Sequence, residues 1–142
     1  MIKFLEHPFF ERRTDIGLLI LRLSIGGLML LHGISKLQHG IDGIEYLVAQ
    51  ASLPNFFAYG VYMGEVVMPI LILLGIATRA TSAIFAFNCI VAALLAHSGD
   101  FFTLNETGGW AIELLGLYFF GALALVFTGG GKYALSRKYI WD

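Results

Sequence analysis

Four stretches of this chain are long and apolar enough to cross a lipid bilayer, and nothing else in the sequence limits the fold as much. A crossing helix needs about 20 mostly apolar residues to span roughly 30 Å of hydrocarbon. The stretches run over about 16–37, 56–76, 80–97 and 110–128. Backbone in lipid must satisfy its own hydrogen bonds, so all four are expected as helices. The period-two alternation of a membrane barrel is absent. Charged residues make up only 13% of the chain, whereas a soluble domain uses roughly 25% to build a wetted surface. The expected class is all-α, an integral membrane antiparallel four-helix bundle, with residues 1–142 forming one domain.

The same composition excludes a disordered chain. A net charge of -1 gives no footprint for nucleic acid, so no nucleic-acid partner is expected. The single cysteine, Cys89, allows neither an intramolecular disulfide nor a C-x-x-C pair. It reads as a small packing residue. The first span is too long for a signal-peptide core, follows Glu6, Glu11 and Asp15, and precedes no A-x-A site. The segment before it is therefore expected to remain.

Lys and Arg fall on one side of the spans. Lys3, Arg12 and Arg13 precede the first, Arg79 sits in the turn between the second and third, and Lys132, Arg137 and Lys138 follow the last. The loops over about 38–55 and 98–109 carry Asp42, Glu45, Asp100 and Glu106 instead. The positive-inside rule makes both tails cytoplasmic. Within the first outer loop, Asp42 and Glu45 read as a capping box. Ile44, Leu47, Val48 and Ala51 then share one face of a short interfacial helix lying on the leaflet. Gly129, Gly130 and Gly131 read as a helix stop. Tyr133, Tyr139 and Trp141 suit the inner interface, and Phe101, Phe102 and Trp110 the outer. Gly60 and Gly64 match a G-x-x-x-G packing motif.

Ionisable side chains inside a bilayer are costly and turn toward a bundle interior where they find partners. Arg22, Glu65 and Glu113 lie well inside the spans, with His32, Lys36 and His97 toward one end. At 1.5 Å rise per residue, Arg22 and Glu65 come within reach of a long side chain, as a structural or a functional pair. The antiparallel order gathers His32, Lys36, Glu113 and His97 in the outer half. Arg22, Met29, His32, Gly33 and Lys36 make one stripe, Glu65, Met68, Ile72 and Gly75 a second, and Glu113, Gly116, Phe120 and Ala124 a third. His97 shares the Ala83, Ala86, Ile90 and Ala93 side, opposite Asn88. His32 and His97 are weak candidates for ligating haem or a metal, since no C-x-x-C-H or H-E-x-x-H spacing supports them.

The string Gly17-Leu-Leu-Ile-Leu-Arg22, Gly27 and His32-Gly33-Ile34-Ser35-Lys36-Leu37 resembles the first span of the DoxX family. Gly64-Glu65, the turn Leu73-Leu74-Gly75-Ile76-Ala77-Thr78-Arg79, Glu113 and the closing Gly129-Gly130-Gly131-Lys132-Tyr133-Ala134-Leu135-Ser136 extend the likeness over roughly 15–137. A proline or aspartate frequent in the family's closing segment is absent. The resemblance implies a four-helix protein of the bacterial cytoplasmic (inner) membrane linked to redox physiology. It also implies Arg22, His32, Lys36, Glu65 and Glu113 as the polar positions that match the family pattern.

The first functional reading is a quinone-linked or redox-stress-associated oxidoreductase subunit with quinone as the ligand. His32 and Lys36 would donate to a carbonyl, and Glu65 and Glu113 would relay protons. The sequence carries no motif for a bound electron carrier, so a soluble or membrane redox partner would deliver electrons. The second reading is a non-enzymatic scaffold or assembly factor, and the third a haem- or metal-binding membrane protein. The lipid bilayer is a partner in all three, and a homo-oligomer is compatible with each.

Overall fold

The computed structural model describes residues 13–142. Lys3, Arg12, Glu6 and Glu11, which carry part of the orientation and signal readings, lie outside the described residues. Helix α1 is Thr14–His39, α2 Asp42–Gln50, α3 Asn55–Leu74, α4 Thr78–Ala96 and α5 Glu113–Thr128. By length and composition α1, α3 and α4 can each cross a membrane. The long helices form a ring in which α1 lies beside α3, α3 beside α4, α4 beside α5, and α5 beside α1. Ile25, Met29, Met68, Ile72, Phe85, Cys89, Tyr118, Ala122 and Leu125 fill its centre. Their opposite faces leave large apolar side chains exposed, as lipid-facing surfaces do.

Helix α5 is shorter than its apolar run. It has 16 residues, or about 24 Å of rise, and begins at Glu113 rather than near Trp110. Trp110 instead pairs back with Leu104, and its indole N–H donates to the Phe101 carbonyl at 2.9 Å. Residues 98–112 fold as a loop ahead of α5, which is a shorter apolar helix than the three long enough to cross. The expected stripe on α5 holds at Gly116 alone. The buried face is Gly116, Tyr118, Ala122 and Leu125, while Phe120 and Ala124 are exposed. On α4 the expected small-residue face is split: Ala86 and Ala93 are buried, Ala83 and Ile90 exposed.

Close packing of α1 on α3 rests on two glycines seven residues apart. A Cβ at Gly26 would stand 2.8 Å from both Leu73 Cγ and the Pro69 carbonyl oxygen. One at Gly33 would run into the carbonyl of Glu65. That carbonyl sits in a π turn over Met63–Val67, where the Met68 N–H reaches back five residues to the Met63 oxygen. Pro69 has no N–H to give Glu65 its α-helical bond, and the wider turn takes up the mismatch. Of the Gly60/Gly64 motif, Gly64 packs tightly against Asn88, and Gly60 has open space beside it.

Helix α3 stops in a Schellman motif. Gly75 takes φ 70°, its N–H donates to the Ile72 carbonyl at 3.1 Å, and the Ile76 N–H donates to the Leu71 carbonyl at 2.9 Å. The segment after α5, opened by Gly129 at φ 76°, folds over this end. The Leu135 N–H donates to the Leu74 carbonyl at 3.2 Å and the Ser136 N–H to the Gly75 carbonyl at 3.0 Å. The Trp141 carbonyl accepts from Arg79 N–H at 3.0 Å, serving the orphan donors at the start of α4. A hydrogen bond from the Ser136 hydroxyl, with the Tyr139 and Lys138 N–H groups, holds the Asp142 carboxyl below the usual carboxylate range.

The first outer loop does contain the expected helix, α2, though without the capping box. Ile41 is the N-cap and no side chain caps it. Glu45 accepts from Asn55 Nδ2 at 3.3 Å instead. Ile41, Ile44 and Val48 pack on Ala58, Val61, Tyr62 and Leu95. The apolar face of α2 thus lies against the outer ends of α3 and α4, while Ala51 falls past the helix and is exposed.

Candidate functional site: a cavity with polar groups in its wall

A cavity of about 830 Å³ opens among the four long helices and beneath α2. Its walls are mainly apolar, with Met29, Val48, Val61, Val91 and Leu115 among them. His32, Lys36, Glu65, Asn88, His97, Asn105, Glu113 and Tyr118 supply the polar groups. Four of the five expected site residues, His32, Lys36, Glu65 and Glu113, therefore line one space, as does His97.

Lys36 Nζ forms an ion pair with Glu65 Oε2. The lysine side chain keeps 27% of its exposure and the glutamate 12%. The Gly33 contact brings α1 close enough for this pair, and the π turn carries Glu65. The pair is partly buried, so it has lost much of its water and is held by charge-assisted hydrogen bonding. His32, exposed on the α1 side of the cavity, stacks edge-on to Tyr118, with ring centroids 6.4 Å apart. Phe85 also packs edge-on against the Tyr118 ring, with centroids 6.2 Å apart. The tyrosine hydroxyl, the lysine ammonium and the imidazole are donors, and the Glu65 carboxylate is an acceptor.

Arg22 is elsewhere and is not paired with Glu65. It is 1% exposed and does not line the cavity. Its Nε donates to the Ile72 carbonyl at 2.9 Å, Nη2 to that of Leu73 at 2.7 Å, and Nη1 to that of Gly130 at 3.1 Å. It caps the negative end of α3, where helical carbonyls lack partners of their own. Depth along the helices put Arg22 and Glu65 within reach of each other. The end of α3 offers the arginine two oxygens and the segment after α5 a third instead.

His97 lies at the outer rim, with Nδ1 3.0 Å from Asp100 Oδ2. Among the described residues no three His, Cys, Asp or Glu side chains converge as metal ligands. Cys89 is buried in the core and outside the cavity. Asn88 and His97 both reach the cavity although they start from opposite sides of α4, because it extends along much of that helix's outer half. Sequence reasoning assigned no role to Asn88 or Tyr118. A polar amide inside an otherwise apolar span was the available signal for Asn88. A lone tyrosine amid leucine and phenylalanine was that for Tyr118.

A family model described as DoxX matches residues 17–98, more than half of the chain and less than the 15–137 over which the resemblance was drawn. A Bacillus subtilis (strain 168) protein named "Putative oxidoreductase CatD" is 35% identical over 84 residues, which is 59% of this chain. The match covers 62% of that relative's length, less than two thirds. No solved structure matches. The glycine contacts of α1 with α3, Arg22 and the Lys36–Glu65 pair all fall inside the matched stretch, and the chain belongs to the DoxX family.

Proposed function

We infer that this chain is a quinone-linked oxidoreductase subunit of the bacterial cytoplasmic membrane, with both tails in the cytoplasm. The observation that carries this reading is the Lys36–Glu65 pair set in the wall of a largely apolar cavity within the membrane-spanning helices. A quinone is an apolar ring with two carbonyls, and its reduction takes up two electrons and two protons. An apolar space with a few convergent polar groups is what such a ring requires. Lys36, Tyr118 and His32 can donate to its oxygens. Lys36 can give its proton to a reduced ring oxygen, and Glu65, protonated in turn from water, can return one to the lysine along the same contact. A partner redox protein supplies the electrons. The relative's name points to the same class of chemistry.

The test is titration of the purified protein with a short-chain quinone. Saturable binding is expected, with Glu65→Gln and His32→Ala each weakening it about tenfold, or roughly 1.4 kcal/mol. Absence of saturable binding, or binding indifferent to both substitutions, ends this reading. A stable co-purifying protein that is lost on mutation of the outer loops would favour the scaffold instead.

A further inference from the structure

The seam between α1 and α5 is closed at its inner end and open at its outer end. Near the inner end a Cβ on Gly121 would fall against Ile25, with Leu21 Cδ1 at 3.5 Å. Ile25 is buried there. Seven residues are close to two turns, so a step of seven returns to nearly the same face of a helix. Two turns outward on these antiparallel helices the facing residues are His32 and Leu114. Both line the cavity, yet His32 is exposed and Leu114 keeps 56% of its surface. Side chains that belong to the cavity wall and to the surface at once mark where that wall can open, and Met63 at 49% and Phe87 at 65% do so on the α3–α4 side as well.

The seam between α3 and α4 is pinned at cavity level by Gly64 against Asn88, and α2 covers its outer end through Val48, Ala58, Val61 and Leu95. The α1–α5 seam is crossed at this level by the edge contact of His32 with Tyr118, while the apolar face of α2 packs over α3 and α4 instead. Helix α1 continues past His32 to His39, about 10 Å of further rise. The gap thus lies two turns below the end of α1, and on its other side Leu114 is the second residue of α5. Leu28 and Leu117, about one turn away, are exposed and give it apolar flanks.

We propose that this gap is a lateral portal through which the cavity takes a membrane-dissolved, tailed amphiphile. The ring head lies beside Lys36 and Glu65, and the alkyl tail leaves between His32 and Leu114 into the acyl chains. The proposal rests on the quinone reading and narrows it to lipid-dissolved quinones, as opposed to rings arriving from water.

The test uses the full chain in vesicles and a quinone with a photoreactive diazirine near the base of its alkyl tail. Saturable labelling of peptides containing Leu28–Ser35 and Leu114–Gly121, chased by excess tailless quinone, is the expected result. Labelling that is chased but falls on Met63 and Phe87, or on residues 98–109, overturns the portal and leaves the ring site standing. Labelling that tailless quinone cannot chase, or none that saturates, overturns the ring site and the portal with it.

Discussion

Arg22 keeps its charge inside the bundle on three carbonyl oxygens, two at the end of α3 and one after α5. Those oxygens diverge, and the planar guanidinium reaches all of them where an ammonium is a single point. Arg22→Lys should therefore cost about 2–3 kcal/mol, since at least one buried acceptor loses its partner. Thermal unfolding in detergent measures this, and quinone affinity should stay within twofold because the residue is outside the cavity. Lys36 and Glu65 behave differently, since each is the other's partner. Lys36→Met leaves a desolvated carboxylate and should cost about 1–2 kcal/mol. Adding Glu65→Gln should restore more than half of that, because removing both members of a buried pair costs less than removing one. Additive losses in the double-mutant cycle would show that the two side chains are uncoupled. The gathering of His32, Lys36, Glu113 and His97 at one end was legible in the sequence, because polar groups in lipid have few directions to turn, whereas the Lys36–Glu65 pair was not. Neither was the Arg22 partner. Axial depth ranks residues along a helix but is blind to carbonyls, which carry no sequence letter.

Helix α3 sets the register of the site through its π turn and Pro69. The turn offers the Glu65 carbonyl to α1, and only a residue without a side chain fits opposite. Gly33→Ala should cost about 1–3 kcal/mol by overpacking and should loosen the Lys36–Glu65 pair. Gly17→Ala on the same helix meets nothing within 4 Å. It should be neutral, or stabilising by up to about 1 kcal/mol from helix propensity. Chemical unfolding of both variants checks the contrast, and equal effects would deny Gly33 its close contact. The spans themselves could be read from runs of apolar residues, as could the helix α2. The face of α5 could not, because nearly every one of its positions is apolar and periodicity needs a polar side to mark the other. Its late start at Glu113 also escaped, since the hydrogen bond from the Trp110 indole to the Phe101 carbonyl is a tertiary choice between two apolar conformations.

At the scale of the molecule, charge is sorted to opposite ends of the bundle. Arg79 begins α4 and its N–H meets the Trp141 carbonyl, while the Lys132 N–H bonds to Asp15 Oδ1. Basic side chains thus cluster where α1 begins, α3 ends and α5 ends. Asp42, Glu45, Asp100, Glu106 and Glu113 lie at the far end, where Glu113 lines the cavity. Asp15 and Lys132 meet at one end of the bundle, and the proposed orientation turns this basic end to the cytoplasm. The consequence can be checked by thiol labelling, since Cys89 is free but buried and stays silent. Thr103→Cys, in the outer loop, should react with a membrane-impermeant maleimide in intact spheroplasts. Ser136→Cys sits beside Leu74 and Gly75 at the other end and should react only after the membrane is opened. The reverse pattern would invert the molecule and turn the cavity toward the cytoplasm. Labelling of both sites in sealed cells would mean that the chain does not cross an even number of times. The expected pattern places the cavity in the outer half of the bilayer. Electrons would then have to reach the ring across the inner half, past the core of Phe85, Tyr118 and Leu125, or from a partner docked on the outer loops.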